Sequence, residues 1–338
     1  MRPTPRPPRL TALAALGAGL LVAASGTLAH AQSPTPAPAS PAIPGPSAVP
    51  GASEAPDPSF QPPPEVTVTD RGDRPRARLR FAFQAGTTDT MVVEMTQKAT
   101  SSVDGGTAQV VALPVIAYSF GISIDAVDAA GTATITMTLD RVEVRASAQT
   151  DDATVQQVQA ALDALVGYRV VSTVDDRGRT LATQAELPVG LDPALAGQMS
   201  QVITQANQLG VTLPLERVGE GATWTSTGAI AINGLSVEST QTTKLEKEKD
   251  GRLTLRTTTV QAADPGPVTW PGVPDGWSTT LTSLAGKANL RQVVDLTTVR
   301  VNGTGNGTIR VVLELTDGTQ THTSDSTADT KVKVTRGG

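Results

Sequence analysis

The feature that most constrains this chain is an alternation of apolar and polar side chains with a period of two, which recurs after residue 65. Successive side chains of a β-strand point to opposite faces of a sheet, so this period predicts strands with one buried face. Turn dipeptides that tolerate positive φ separate the runs, and consecutive hairpins predict an antiparallel sheet. The runs are Leu79/Phe81/Phe83, Met91/Val93/Met95, Ile135/Met137/Leu139, Val142/Val144, Leu235/Val237, Leu253/Leu255, Ile309/Val311/Leu313/Leu315 and Val332/Val334, and the turns are Asp104-Gly105, Asn233-Gly234, Asp250-Gly251, Asn302-Gly303 and Asp317-Gly318.

Two local features refine the strand pattern. The apolar positions change from odd to even numbers between Leu139 and Val142. One extra residue in a strand moves all later side chains to the other face, so this change predicts a β-bulge near Asp140 and Arg141. The sequence Asp175-Asp176-Arg177-Gly178 stands between two further short runs and predicts one more hairpin.

Two segments have helical instead of strand spacing. The first follows Asp151-Asp152 and stops at Gly167, and the second has Asp192 as the predicted N-cap and Gly210 just past its end. The predicted fold class is therefore mostly β with two helices (α+β), a curved antiparallel sheet or half-barrel covered by the two mid-chain helices. The apolar stripes are Val155/Val158/Leu162/Leu165 and Leu195/Met199/Val202/Ala206/Leu209.

The first 31 residues have the layout of a secretory signal peptide. Arg2, Arg6 and Arg9 precede an uncharged apolar stretch over residues 10–24, and the small-residue sequence Ala29-His30-Ala31 follows. The stretch is shorter than the roughly 20 residues that span a bilayer, so we predict cleavage and no transmembrane span afterwards. The chain has no cysteine, which excludes a cysteine-anchored lipoprotein. The predicted location is extracytoplasmic, in the periplasm or at the cell surface.

A proline-rich stretch separates this leader from the β-rich part. Residues 33–64 contain 12 prolines among small and polar side chains. Such a composition cannot bury enough apolar surface to offset the entropy of ordering, so it predicts an extended, disordered linker. The linker either holds the folded part away from a membrane or wall layer or has no role of its own. The predicted domains are the leader (1–31), the linker (32–64) and a single β-rich domain (65–338).

The composition removes most kinds of catalytic or cofactor site. Without cysteine there are no disulfides, thiol nucleophiles or cysteine-bound metals, and with His30 in the leader only His322 remains. The net charge is −5 and becomes −8 without the leader, which argues against nucleic-acid binding. No nucleophile elbow, zinc-protease motif, phosphate loop or dinucleotide fingerprint occurs. We therefore predict no enzyme, no catalytic residue, no metal site and no cofactor, with His322 exposed or structural.

Residues 264–277 form the most unusual local segment, with four prolines and two of the three tryptophans of the chain. Trp270 and Trp277 could stack on a ligand or act as a lid or entrance loop, because indole rings combine large apolar area with one polar atom. The alternative, which we favour, is that both rings plug the open end of the sheet from inside.

Several stretches resemble an uncharacterised family of bacterial exported proteins that is known only as a domain of unknown function. They are residues 168–183, residues 214–224, in which Val218-Gly219 and then Trp224 precede a long hairpin pair, and the strands around residues 302–318. The family brings no known reaction with it. The architecture also resembles the lipoprotein-localisation carriers and the mycobacterial glycolipid carriers. That resemblance implies a half-barrel sheet whose mouth is covered by helices, with an acyl chain in the cavity between them.

This sequence favours two functions over a third, the binding of wall polysaccharide through Trp270 and Trp277. The first is a secreted, non-enzymatic binding protein that carries a lipid or another apolar ligand between sheet and helices. The second is a structural or interaction module of the cell envelope, tethered by the proline-rich leader. A continuous apolar cavity favours the first, and a filled interface between sheet and helix favours the second. The cavity-lining candidates are Leu79, Phe81, Phe83, Met91, Val93, Met95, Leu162, Leu165, Met199 and Val202, with Trp270 and Trp277 at the entrance.

Overall fold

The computed structural model describes residues 65–148, 150–186, 211–232, 235–270, 273, 276–298 and 301–337. Within these residues the chain forms fourteen strands and one helix, and no helix is long and apolar enough to cross a membrane. The second predicted helix, with Met199 and Val202, lies outside the described residues. The elements are β1 Glu65–Asp70, β2 Thr88–Val103, β3 Gln109–Ala112, β4 Val115–Val127, β5 Ala133–Arg145, α1 Asp152–Asp163, β6 Arg169–Val174, β7 Thr180–Glu186, β8 Thr223–Ile232, β9 Leu235–Lys249, β10 Arg252–Ala263, β11 Gly266–Val268, β12 Ser278–Asp295, β13 Val301–Thr316 and β14 Thr321–Arg336.

All fourteen strands belong to one antiparallel sheet. Its order is β1-β8-β9-β10-β12-β13-β14-β2-β4-β5-β6-β7, with β3 paired to β2 and β11 paired to β12 beside this path. The path is open, because β1 and β7 are its two ends within the described residues. The predicted antiparallel, mostly β architecture is confirmed at this level.

Three of the five predicted Asp-Gly and Asn-Gly turns and the predicted bulge occur, whereas the turn predicted at Asn233-Gly234 lies outside the described residues. Asp104 and Asp250 have φ of 52° and 53°, and each is followed by a glycine with positive φ, so both turns have the backbone that tight hairpins favour. In the pairing of β4 with β5, Ser119 lies opposite Arg141 and Phe120 opposite Leu139. Asp140 is therefore the extra residue, and the bulge accounts for the change from odd to even apolar positions.

The strand predicted around Leu79, Phe81 and Phe83 is wrong, because residues 78–84 form no strand. The backbone N–H of Phe81 donates to Asp176 O at 2.8 Å, and the N–H of Ala82 donates to Leu296 O at 2.7 Å. These partners belong to two different parts of the chain, so the segment satisfies its backbone without a neighbouring strand.

The first predicted helix is confirmed as α1. The Asp151 side chain accepts the Thr154 N–H at 2.7 Å and caps the helix, as its position before the apolar stripe predicts. Leu162 is buried against β5, and Gln159 bonds to the β5 backbone: its Oε1 accepts the Val144 N–H at 2.7 Å and its Nε2 donates to Val142 O at 3.0 Å. Helix α1 thus supplies hydrogen bonds to the part of β5 that extends beyond β6.

Hydrogen bonds connect the two ends of the strand path. Trp224 of β8 donates its indole N–H to Thr212 O at 3.0 Å, and the next residue, Leu213, donates its N–H to Arg177 O in the β6–β7 turn at 2.8 Å. Nine strand-to-strand steps of about 4.8 Å would separate β8 from β6 by about 43 Å in a flat sheet. The sheet must therefore bend round, with its buried face on the inside and its exposed face on the outside.

Candidate functional site

The buried face of the sheet is the surface that the predicted ligand site would use. The strand register aligns its inward side chains into rows, and two neighbouring rows consist almost entirely of small or uncharged polar residues. We call these rows the small-residue belt. It comprises Gln241, Thr259, Ala288, Gly307, Thr330 and Gln97 in one row and Ser239, Gln261, Gly286, Ile309, Ala328 and Ala99 in the next.

Strand β13 approaches its neighbouring strands closely on this face. A Cβ on Gly305 would lie 2.9 Å from Asn289 O and 3.1 Å from Leu290 Cδ1, which are distances that real Cβ atoms rarely show. The predicted hairpin turn at Asn302-Gly303 is wrong, since both residues lie inside β13. Glycine is present there because the inner side of a bent strand leaves no room for a side chain, so the same residue type that marks turns marks a close approach here.

Apolar clusters lie on both sides of the belt. Trp270 is 6% exposed and packs with Leu281, Leu284 and Val311, so this ring belongs to the core. Trp277 is only half-buried and stacks on His322, with ring centroids 5.9 Å apart. The interior-plug alternative therefore describes the position of Trp270, whereas Trp277 lies nearer the surface.

The cavity candidates on the irregular segment and on α1 mostly lie in filled clusters. Leu79 is 4% exposed and Phe81 packs against the same cluster, with Phe83 stacked on Phe81 at 5.1 Å. Leu162 and Leu165 are 3% and 1% exposed in the cluster between α1 and β4, β5 and β6. Met199 and Val202 lie outside the described residues. The structure thus divides the candidates between two clusters instead of bringing them around one cavity.

The candidates on β2 are less completely covered. Met91, Val93 and Met95 are all half-buried, and Met95 packs against the α1 cluster. Met91 also lines a shallow cleft with Ile122 and Val301. The volume of this cleft is about 10 Å³, which is room for about one water molecule.

Three buried polar atoms on the inner face were not identified from the sequence. The hydroxyls of Ser239 and Ser326 and the side-chain carbonyl of Gln292 have no hydrogen-bond partner among the described residues, although these residues are 7%, 3% and 2% exposed. The sequence contains a signal for these three residues, because each one stands at an inward position of an alternating strand, where an apolar residue is expected. These atoms can hydrogen-bond a polar group that reaches the inner face.

The only histidine in the described residues belongs to a small polar cluster at one rim of the sheet. His322 Nδ1 donates to Asp104 Oδ2 at 2.7 Å, and the Thr323 N–H donates to Asp104 Oδ1 at 2.8 Å. The hydrogen bond from His322 is the main reason that the pKa of Asp104 is lowered, and the Thr323 N–H adds to it. No group of three or more metal-ligating side chains occurs in the described part of the chain.

Replacing His322 with Gln is expected to move the pKa of Asp104 upward toward its ordinary value, because the main hydrogen bond to the carboxylate is lost. In the parent protein this pKa is lower when folded than when unfolded. The contact therefore stabilises the fold above the ordinary pKa of Asp and ceases to do so as the pH falls through the lowered value. Carboxyl carbon NMR titration measures the pKa of Asp104, and the effect on stability follows from the pKa by linkage. Asp317 is the internal control, since the N–H groups of its own turn lower its pKa to about 2 and His322 does not contact it. An unchanged Asp104 titration would contradict the assignment.

Comparison with known proteins adds no family to this description. No family model matches the chain, and no curated protein matches it. The resemblance to the exported family therefore stays a prediction, and the large open antiparallel sheet is the part of it that the structure shows.

Proposed function

We propose that this protein is an extracytoplasmic, non-enzymatic interaction module of the cell envelope that binds through its surface. The observation that carries the proposal is the close packing of three clusters on the inner face. Side chains that would line a carrier cavity, namely Leu79, Leu162, Leu165 and Trp270, are between 1% and 6% exposed in three packed clusters. A sheet with a filled inner face offers its exposed face and its rims to partners.

The exposed face carries ion pairs between neighbouring strands, which suits a surface that faces solvent. Ion pairs tie neighbouring strands together on it, as in the Glu246 carboxylate, which accepts Arg256 Nε at 2.7 Å and Arg291 Nε at 2.8 Å. Arg310 likewise donates to both carboxylate oxygens of Asp325 on the next strand. Such pairs hold side chains in fixed positions on a rigid sheet, which lowers the entropy cost of presenting them to a partner.

Native mass spectrometry of the exported protein, purified without detergent from the envelope of its host, tests this proposal. We expect the mass of the polypeptide alone, before and after incubation with lipids extracted from the same envelope. We also expect the protein to co-sediment with insoluble envelope material from that host. A stoichiometric lipid adduct together with no co-sedimentation would overturn the proposal in favour of a lipid carrier.

Lipid carriage is the second candidate, and the half-buried row on β2 favours it. Met91, Val93 and Met95 present apolar side chains that the described residues do not fully cover. The unpaired polar atoms of Ser326 and Gln292 on the same inner face could hydrogen-bond the polar part of an amphipathic lipid. In the mass-spectrometry experiment, replacing Val93 with Asp should then abolish the adduct, whereas replacing the outward Thr96 with Asp should preserve it.

A further inference from the structure

The charges on the exposed face are divided unevenly. The division runs across the middle of strands β9, β10, β12, β13, β14 and β2. In the half nearer the β9–β10 turn, basic outward side chains outnumber acidic ones, although the whole chain is acidic with a net charge of −5. We call this half the basic patch: its basic residues are Lys98, Lys244, Lys247, Lys249, Arg252, Arg256, Lys287, Arg291, Lys331 and Lys333, and its acidic residues are Glu94, Glu246, Asp295 and Asp329.

The strand register places part of this patch in a line. Lys244 pairs with Arg256, Arg256 with Arg291, Arg291 with Thr304 and Thr304 with Lys333. All five side chains are exposed. At about 4.8 Å between neighbouring strands, the row extends about 19 Å across the sheet.

Most of the positive charge in the patch is available to a partner. None of its seven lysines lies within 4 Å of a carboxylate among the described residues, whereas Arg252 pairs with Asp295, and Arg256 and Arg291 share Glu246. Hydrogen bonds from these two arginines lower the pKa of Glu246, so it stays ionised and offsets one charge. The lysines therefore keep a local positive potential that a negatively charged partner can neutralise.

The other half of the exposed face has the opposite character. Glu238, Glu314 and Asp317 are exposed there, and the one arginine, Arg310, is paired with Asp325. Segregation of this kind orients a charged partner, since the acidic half repels the same anion that the basic patch attracts.

An uncharged hydrogen-bonding row adjoins the basic row. Thr242 pairs with Thr258, Thr258 with Asn289 and Asn289 with Asn306, and Lys331 follows on the next strand. Thr258 Oγ1 donates to Asn289 Oδ1 at 3.1 Å, so the amide oxygen of Asn289 is the acceptor and its amide nitrogen is a donor. Hydroxyl and amide groups beside ammonium groups suit a partner with hydroxyl or phosphate oxygens along its length.

We propose that the basic patch binds a linear anionic polymer of the envelope, with phosphate or carboxylate groups in its repeat. This inference rests on the proposed function and specifies its partner. A flexible polymer fits better than a flat membrane surface, because the sheet bends away from a plane on its exposed side. A chain lying along the row meets Lys244, Arg256, Arg291 and Lys333 in turn, and each neutralised group releases counterions.

The test uses the full mature chain and linear inorganic polyphosphate as the probe, with dextran as an uncharged polymer. We expect polyphosphate binding that weakens at least about tenfold between 50 and 200 mM salt, and no dextran binding. The double variant Lys331→Glu/Lys333→Glu should bind polyphosphate at least about tenfold more weakly than the parent protein. The matched control Arg71→Glu/Arg78→Glu makes the same change in net charge at two exposed arginines outside the patch and should stay within about twofold of the parent.

The inference would be overturned by no polyphosphate binding at low salt, by equal losses in both double variants, or by binding to phosphatidylglycerol vesicles without binding to the polymer. Co-sedimentation with insoluble envelope material separates this inference from the proposed function. If the parent and the Lys331→Glu/Lys333→Glu variant sediment equally, the proposed role of the basic patch is wrong, but the proposal of an envelope module is retained. If neither sediments, both fail.

Discussion

Replacing Trp224 with Ala is expected to destabilise the fold by about 3–5 kcal/mol, the usual cost of removing a large aromatic side chain from a core. Trp224 is 1% exposed and packs with Leu213, Leu245 and Leu255. Its indole N–H also donates to Thr212 O, and that hydrogen bond belongs to the connection between β8 and the β6–β7 turn. Loss of the ring therefore creates a cavity and loosens the contact that joins the two ends of the sheet.

Urea unfolding followed by circular dichroism measures this effect as a shift of the midpoint. Trp224→Phe keeps most of the ring volume and loses the hydrogen bond, so we expect a smaller loss, with about 1 kcal/mol from the hydrogen bond itself. Trp277→Ala is the matched control, because Trp277 is only half-buried and its ring stacks on His322 near the surface. A Trp224→Ala loss no larger than that of Trp277→Ala would contradict this account of the core.

Gly305→Val is expected to destabilise the protein by about 1–3 kcal/mol, the typical cost of overpacking. The new Cβ would lie 2.9 Å from Asn289 O, a backbone atom that can move only if β12 moves. It would also lie 3.1 Å from Leu290 Cδ1 and 3.2 Å from Val332 Cγ1, so both neighbouring strands would have to shift. Valine has a high intrinsic preference for strands, and a loss of stability would therefore come from crowding.

The neighbouring residue supplies the control for this prediction. Thr304 is next to Gly305 on β13 but points to the exposed face, so Thr304→Val introduces the same side chain without the close contact. We expect a change within about 0.5 kcal/mol for Thr304→Val. Thermal and urea unfolding of both variants compare them directly, and equal effects would show that the inner face at β13 has room for a side chain.

These two positions also bear on function. Trp224 contributes to the contact that bends the sheet, and Gly305 permits that bend at its inner side. The bend makes the basic patch convex, which is the reason for preferring a flexible polymer over a flat membrane as its partner. Variants that keep the fold but change polymer binding must therefore be sought on the exposed face, at residues such as Lys331 and Lys333.

The local features were predictable because they depend on residues near one another in sequence. Alternation identified six of the fourteen described strands, namely β2, β5, β9, β10, β13 and β14, and the change of phase after Leu139 located the bulge at Asp140. Asp151 and the stripe that ends at Leu165 located α1. Asp-Gly dipeptides marked the turns at Asp104 and Asp250, because both turn positions require positive φ.

The tertiary structure alone decided the features that depend on distant residues. Phe81 alternates like a strand residue, but its N–H is taken by Asp176 O, so no strand forms there. Gly303 looks like a turn residue next to Asn302, yet it lies within β13, where the bent sheet leaves no room for a Cβ.

The basic patch likewise joins residues from five strands that only the register aligns. A sequence records which side chains alternate. Which strands become neighbours, and how far the sheet bends, follow from contacts between residues more than a hundred positions apart, such as the hydrogen bond from the Ala82 N–H to Leu296 O.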